Sequence, residues 1–363
     1  MRVVVIGGFG NFGARICRRL SVERTIEIVA AGRHAGAPSH ASATRSAVLD
    51  IRLPDFANSL RALAPNLVIH CAGPFQDQDY RVVRASLACG AHYVDLADGR
   101  DFVVQFAEQN EAAAMQANCM AVSGASTLPA LSCAVVDHLK ERFARVDEIE
   151  IAIAPGQHAT RGTATMAAVL SYAGQDFKWL CAGTWRTVYG WQELRRMHFP
   201  FGTRYAAACD VPDLSLFPKR YPDARTVTFR AALEVPVEHF ALWAMAGMRR
   251  IGLPVAVARL AGPLDRLGRW LDRFGTDCGG MTVSVAGRTT EGGRRRATWE
   301  LVAKSNHGPE IPCMPAVLLA CKLARLEALP LGARACVGLL NLADFEREFA
   351  RWDISSRIVE ERA

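Results

Sequence analysis

Gly8, Gly10 and Gly13 stand at G-x-G-x-x-G spacing within Gly8-Phe9-Gly10-Asn11-Phe12-Gly13. Directly before them runs MRVVVIGG (Met1 to Gly8), an unbroken apolar stretch rich in β-branched residues, and ARICRRLSV after them has helical spacing. The first run predicts a short buried strand. Each glycine then has a mechanical role: the first permits a tight turn, the second lets backbone approach a pyrophosphate, and the third lets helix and strand pack closely. The free N–H groups and positive end of the helix face the phosphates. A strand before and a helix after separate this pattern from an ordinary glycine turn, and the chemistry it predicts is dinucleotide binding.

A second strand is expected over Ile26 to Ala31, followed by Gly32-Arg33. Its end is where an Asp or Glu holds the ribose 2′-OH in NAD enzymes. Here a glycine and an arginine stand instead, and a guanidinium can hold a 2′-phosphate that a carboxylate would repel. The expected cofactor is therefore NADP(H). A third strand, Ser46 to Leu49, ends at Asp50-Ile51, where the adenine edge is placed. A fourth, Leu67 to Ala72, stops at Gly73-Pro74-Phe75, a loop at the carboxyl edge where ligands of open α/β sheets bind. The expected cofactor contacts are thus Gly8, Phe9, Gly10, Asn11, Phe12, Gly13, Arg33, Asp50, Ile51, Ala72, Gly73, Pro74 and Phe75.

Hydride transfer asks little acid–base machinery of the protein, because the cofactor carries the chemistry. Tyr93 and Asp95, two apart near the carboxyl end of a strand over His92 to Leu96, share one face and are the candidate catalytic pair. The alternative is that Tyr93 packs in the sheet and Asp95 caps a loop. Thr160, Arg161 and Thr163 lie in a polar glycine-rich loop before an apparent helix, Ala164 to Ala173, and can offer hydroxyls, amides and one guanidinium to a substrate carboxylate. A plain capping turn is the other reading. His158 and His307 are loop histidines in a useful titration range. No Ser-His-Asp order and no Tyr-x-x-x-Lys pair occurs, so hydrolase and short-chain dehydrogenase chemistry have no anchor.

To position these residues, strands and helices must alternate through the first 125 residues: a helix from Tyr80 to Cys89, another from about Phe102 to Ala117, and a strand from Met120 to Val122. That alternation predicts an α/β fold with a doubly wound parallel Rossmann sheet. After Pro129 the alternation fades. Ile149 to Ala154 is a strand, the segment from Trp179 to Tyr221 is aromatic without clear period, and Val283 to Thr289 with Arg296 to Ala303 reads as a hairpin whose tip carries Arg294-Arg295-Arg296. An apolar helix is expected over Ile311 to Leu326. From Val257 to Phe274 the leucines fall on one helical face with Arg259, Arg266, Arg269 and Arg273 around it; core or dimer packing is the default, and a membrane-surface helix the alternative.

With 363 residues, two domains are expected. The net charge of +7 suits an anionic cofactor as well as a nucleic acid and decides neither. The eleven cysteines show no CxxC pair and no metal spacing, which points to a reducing compartment, no structural zinc and a cytoplasmic location. No apolar run is long enough for a membrane span.

The sequence resembles the saccharopine dehydrogenase-like family of NAD(P)-binding oxidoreductases. The likeness is carried by IGGFGNFG (6–13), AGR (31–33), VIHCAGPF (68–75), CGAHYVDLAD (89–98) and SGASTLPALS (123–132), and extends through RGTATMAAVLSYAG (161–174), VSVAGRTTEGG (283–293) and the segment 307–333. It implies a two-domain reductase: residues 1–126 as the NADP-binding Rossmann domain, completed by C-terminal helices within 313–363, and 127–312 as a mixed α+β domain for substrate and dimerisation. The family includes reductases of imines, polyamine-forming relatives and lipid enoyl reductases. The expected reaction is hydride transfer to an imine, ketone or activated double bond of a small-molecule or lipid-like substrate, with a homodimer open and no nucleic-acid partner. A non-catalytic NADP(H)-binding sensor or scaffold is the alternative from another class.

Overall fold

The apolar run at the start forms β1 (Arg2–Ile6), with Val3, Val4 and Val5 wholly buried. The computed structural model describes residues 1–34, 44–76, 78–159, 171–253 and 270–362. After β1 come α1 (Asn11–Leu20), β2 (Glu27–Gly32), β3 (Thr44–Val48), α2 (Phe56–Ala62), β4 (Leu67–His70), α3 (Arg81–Ala88), β5 (His92–Asp95), α4 (Arg100–Gln116) and β6 (Met120–Ser123). The strands lie in the order β3-β2-β1-β4-β5-β6, and every pair is parallel. The chain winds from β1 out to β3, then returns to place β4 on the other side of β1. Ligands of such sheets bind at the carboxyl ends beside that reversal.

The second unit begins with α5 (Ser132–Lys140) and β7 (Arg145–Ala154), and continues with β8 (Asp176–Cys181), β9 (Thr184–Tyr189), β10 (Arg195–Phe199), β11 (Gly202–Ala208), α6 (Asp213–Arg220), β12 (Thr226–Ala232), α7 (Pro236–Arg250), β13 (Gly279–Arg288) and β14 (Arg294–Ala303). Then α8 (Met314–Ala324) and β15 (Gly332–Ala335) rejoin the first unit, where β15 pairs in parallel with β6 as the seventh strand. The chain closes with α9 (Leu342–Phe349) and β16 (Ile354–Arg362) in the second unit. The second sheet is mixed, in the order β10-β11-β12-β7-β13-β14-β16, with β8 pairing to β12 and β9. The architecture is thus α/β: a Rossmann sheet plus a second mixed sheet.

The compact units are Met1–Leu131 with Glu310–Leu340, and Ser132–Pro309 with Asn341–Ala363. The expectation that all of 313–363 completes the first unit is therefore corrected for its last part. β16 pairs antiparallel with β14 from Ala303↔Ile354 to Arg295↔Arg362, and Phe349 of α9 lies 6.4 Å from Trp299 of β14 by ring centroids. The segment from Trp179 to Tyr221 is also more regular than its composition suggests. Ala182 and Gly183 both have positive φ, 51° and 81°, as a two-residue turn that joins right-twisted strands requires. The Arg294–Arg296 run forms ion pairs: Arg294 reaches Glu148 at 2.6 Å, and Arg296 reaches Glu148 and Glu150 at 2.9 and 2.8 Å.

The segment that returns to the first unit is anchored by Glu310, which is 4% exposed and takes the guanidinium groups of both Arg15 and Arg18 of α1. Removing the acid leaves two cations facing a closed site. A fully buried pair broken this way costs about 3–5 kcal/mol. Arg15 is 18% exposed and Arg18 39%, so water relieves part of that. Glu310→Ala should destabilise the first unit by about 2 kcal/mol, lowering its melting temperature by about 4–8 °C. Thermal melts followed by circular dichroism check this; an unchanged transition would mean the triad is only a surface pairing.

Candidate functional site

At the end of β1 the chain turns through Gly7, whose φ of +81° is the left-handed conformation glycine adopts without strain. Gly10 N–H donates to the Gly7 carbonyl at 2.9 Å and closes the turn. The expected glycine roles are therefore redistributed. The turn residue is Gly7, one place before the fingerprint. A Cβ at Gly8 would lie 2.9 Å from Ala30 of β2, so Gly8 serves close packing. A Cβ at Gly13 would lie 2.2 Å from the Gly7 carbonyl oxygen, so Gly13 lets α1 start against the turn. Beside Gly10 a Cβ would meet only the Gly7 oxygen, at 3.2 Å, and the space beyond is open. Gly10 is also the N-cap of α1, with no side-chain capping bond. A helix N-terminus next to open space fits a pyrophosphate. Phe9, Asn11 and Phe12 are half-buried around this loop, and Asn11 Oδ1 accepts from Arg15 Nε at 3.3 Å.

The ends of β2 and β3 are tied together by Leu49 N–H donating to the Gly32 carbonyl at 2.8 Å. Arg33 is exposed there. Asp50, placed at the adenine edge by the sequence, is instead gripped by a neighbour two residues on. Arg52 donates to it from its backbone N–H at 3.0 Å and from Nε and an Nη at 3.1 and 3.0 Å. Those bonds, with the charge of Arg33 as a smaller cause, hold the Asp50 carboxyl below its usual range. Ile51 between them is half-buried. The D-x-R spacing of Asp50 and Arg52 is the sequence signal for this pairing, and it lies at the end of β3 rather than β2.

At the carboxyl end of β4, Ala72 and Gly73 lie beside the phosphate turn: a Cβ at Gly7 would lie 3.1 Å from Ala72 N. Gln78 holds this loop, its side-chain amide donating to the carbonyls of Ala72 and Pro74 at 2.7 Å each. Phe75 is buried, edge-on to His70 with centroids 5.0 Å apart.

Tyr93 and Asp95, the expected catalytic pair, lie within the sheet. Both are 0% exposed. The Tyr93 hydroxyl meets His70 Nδ1 at 3.0 Å and its ring stacks on Phe106. Asp95 Oδ1 accepts from Ser123 Oγ at 2.9 Å, Gly124 N–H at 2.8 Å and Ala97 N–H at 3.0 Å. Burial pushes its pKa up to about 6 against those donors, and burial pushes His70 down to about 4. Asp95 thus clamps two loops at the sheet edge.

One of those loops carries Asp98, just before α4. Gly99 is the N-cap of α4, with no side-chain bond. Asp98 remains exposed and accepts from Gln76 Nε2 at 3.3 Å. It is the carboxyl that sequence reasoning missed at this edge.

Thr160, Arg161 and Thr163, with residues 164–170 of the apparent helix after them, lie outside the described residues. The loop leading to them is held within the second unit. Glu234 accepts from Gln157 N–H at 2.7 Å, Thr276 N–H at 2.9 Å and an Arg204 Nη at 3.1 Å. His158 Nε2 lies 2.8 Å from the Asp272 carbonyl, and His307 Nδ1 accepts from Asp353 N–H at 2.9 Å, so both histidines have structural partners. Of the stretch 257–274 only 270–274 is described, with Trp270 and Phe274 exposed and the Arg273 guanidinium 3.7 Å from the Trp270 ring centroid. Among the described residues no group of three or more His, Cys, Asp or Glu gathers as a metal site, and no helix is long and apolar enough to cross a membrane.

Residues 3–123 match the family described as the saccharopine dehydrogenase NADP binding domain. No curated protein matches the chain. Among solved structures it is similar to saccharopine dehydrogenase (L-Glu forming) from Saccharomyces cerevisiae, with a TM-score of 0.68 at 13% identity, covering 99% of both chains. It is also similar to the homospermidine synthase of Legionella pneumophila in complex with NAD, with a TM-score of 0.61 at 9% identity over 99% of this chain and 91% of that one. The DAP dehydrogenase of C. glutamicum matches with a TM-score of 0.51 at 14% identity over 96% and 98%. At these identities the likenesses concern the fold. Together with the glycine turn, the parallel sheet and the family match, they make residues 3–123 an NAD(P)-binding domain of the saccharopine dehydrogenase-like family.

Proposed function

We propose that the chain is an NADP(H)-dependent oxidoreductase that reduces an imine, ketone or activated double bond in a small-molecule or lipid-like substrate. The observation that carries the cofactor choice is the end of β2, where Gly32-Arg33 replaces a ribose-binding carboxylate. In this reading the N–H groups at Gly10 and the start of α1 bind the pyrophosphate, Arg33 binds the 2′-phosphate, and the loop 72–75 borders the nicotinamide. When bound, the cofactor supplies the hydride. The protein then has only to orient the acceptor and supply a proton, and Asp98, an exposed carboxyl beside Gln76 beyond the end of β5, is placed for that task.

Cofactor choice is tested by titrating NADPH and NADH into the protein by fluorescence. Arg33 can give two charge-assisted hydrogen bonds, and its exposure discounts them, so NADPH should bind about ten- to thirtyfold more tightly than NADH. Arg33→Ala should remove most of that gap by weakening NADPH alone. It is a cleaner test than an acid at Gly32, where a Cβ would lie 2.7 Å from the Phe9 ring and disturb the phosphate loop. Equal affinities in the unaltered protein would remove the NADP assignment. Tight NADPH binding with no substrate-dependent oxidation, across imines, ketones and enoyl substrates, would favour a sensor or scaffold.

A further inference from the structure

The end of β3 presents a difficulty for any phosphate-bearing adenosine. Asp50 sits beside the β2 terminus, linked to it through the Leu49–Gly32 hydrogen bond, and its side chain is 17% exposed. A bare carboxylate in that place would repel a 2′-phosphate, just as an acid at the end of β2 does. The chain answers with Arg52, which closes a local ring on Asp50 through three hydrogen bonds of 3.0, 3.1 and 3.0 Å from two residues away. Both Asp50 oxygens are used, and the pairing is side-on, the geometry in which a guanidinium matches a carboxylate. Arg33 acts on the same carboxylate from the neighbouring strand. Asp50 is thus neutralised by Arg52, and Arg33 at the end of β2 adds a further positive charge to the same corner.

We propose that Arg52 is a second determinant of cofactor choice, acting by neutralising Asp50 so that the corner beside Arg33 accepts a 2′-phosphate. This rests on the NADP(H) reading above and extends it to a residue outside the end of β2. Arg52 is a positioning and charge-balancing residue: it holds the carboxylate of Asp50 while Arg33 holds the phosphate. The function of the pair is therefore not the sum of its members. Taking away Arg52 alone uncovers a repulsive anion, whereas taking away Asp50 and Arg52 together removes the cation and the anion at once.

The experiment is a double-mutant cycle on the full chain, read by calorimetric titration of NADPH and NADH at low ionic strength. Arg52 is 66% exposed, so the substitutions leave the core untouched, and thermal melts verify that. Arg52→Ala should weaken NADPH by about five- to tenfold and change NADH by less than about twofold. Adding Asp50→Asn should restore NADPH affinity to within about twofold of the starting protein, and the loss in Arg52→Ala should shrink as salt rises. If Arg52→Ala leaves NADPH affinity unchanged, or if the double variant is as weak as Arg52→Ala, the neutralising role is wrong. Arg33→Ala, measured alongside, separates the two claims. A preference for NADPH that depends on Arg33 but not on Arg52 overturns this inference alone. No preference in the unaltered protein overturns the NADP(H) reading, and this inference with it.

Discussion

Gly10→Val should abolish dinucleotide binding while leaving the fold standing. The Gly10 backbone is extended, with φ −80° and ψ 177°, which valine adopts readily. Its Cβ would meet only the Gly7 carbonyl oxygen, at 3.2 Å, a contact relieved by a shift of a few tenths of an ångström. The two methyl groups beyond that Cβ then occupy the open space into which the helix N–H groups point. A pyrophosphate excluded from there loses several charge-assisted hydrogen bonds, each contributing about 1.5–3 kcal/mol, so affinity should fall by more than about a hundredfold. Gly13→Val is the informative contrast. Its Cβ would overlap the Gly7 oxygen at 2.2 Å, so that variant should lose the fold of the first unit together with binding. Calorimetry and thermal melts on the two variants separate these outcomes. Unchanged NADPH affinity in Gly10→Val would mean that the cofactor does not approach this turn.

The dinucleotide half was legible because its signals are local. A β-branched run, a glycine turn and a helical period follow one another within twenty residues, and each strand ends on a recognisable loop. Only Gly7 was assigned no role, since the left-handed φ falls one place before the fingerprint. β15 escaped notice for a different reason. Gly-Ala-Arg-Ala has no β-branched residue and no alternation, and it becomes a strand only because β6 offers it a free parallel edge. The same holds for β16, whose partner β14 lies about fifty residues back in the chain and cannot be inferred from local periodicity.

Tyr93 and Asp95 show what alternation leaves open. Two residues on one strand face share a direction, but the pattern does not tell whether that face meets a ligand or a packed helix. β5 lies between β4 and β6, and strands inside a parallel sheet are covered on both faces. The ring of Tyr93 accordingly stacks on Phe106 of α4, 5.9 Å between centroids. The residues free to act lie beyond the strand ends, where Asp98 is, and their exposure depends on the path of loops that carry no period. In the second unit the turn Ala182-Gly183 lacked the Asn-Gly signal that normally reveals a hairpin.

The second unit holds a carboxyl with a measurable signature. Asp213, at the start of α6, is 0% exposed, and Ser132 Oγ donates to its Oδ1 while Oδ2 has no hydrogen-bond partner. Burial pushes its pKa from 3.8 up to about 7. Asp95, equally buried but with three donors on one oxygen, rises only to about 6, as expected if donors offset lost hydration. A carboxyl whose pKa is raised by folding favours the folded state only while protonated in both states. Its contribution is unpenalised below the unfolded value, declines as pH rises from about 4 to about 7, and is fully unfavourable above that. The penalty at pH 8 is about 2–4 kcal/mol. Asp213→Asn keeps the oxygen that accepts from Ser132 and carries no charge at any pH. Its extra amide N–H, if unpaired, costs about 1 kcal/mol, and that cost does not depend on pH. The melting temperature of Asp213→Asn relative to the unaltered protein should therefore rise by about 5–10 °C between pH 4 and pH 8. Other titrating groups are common to both proteins and cancel in that difference. A difference that stays constant across the range would mean that Asp213 ionises as it does in the unfolded chain, and that burial in this fold does not set its titration.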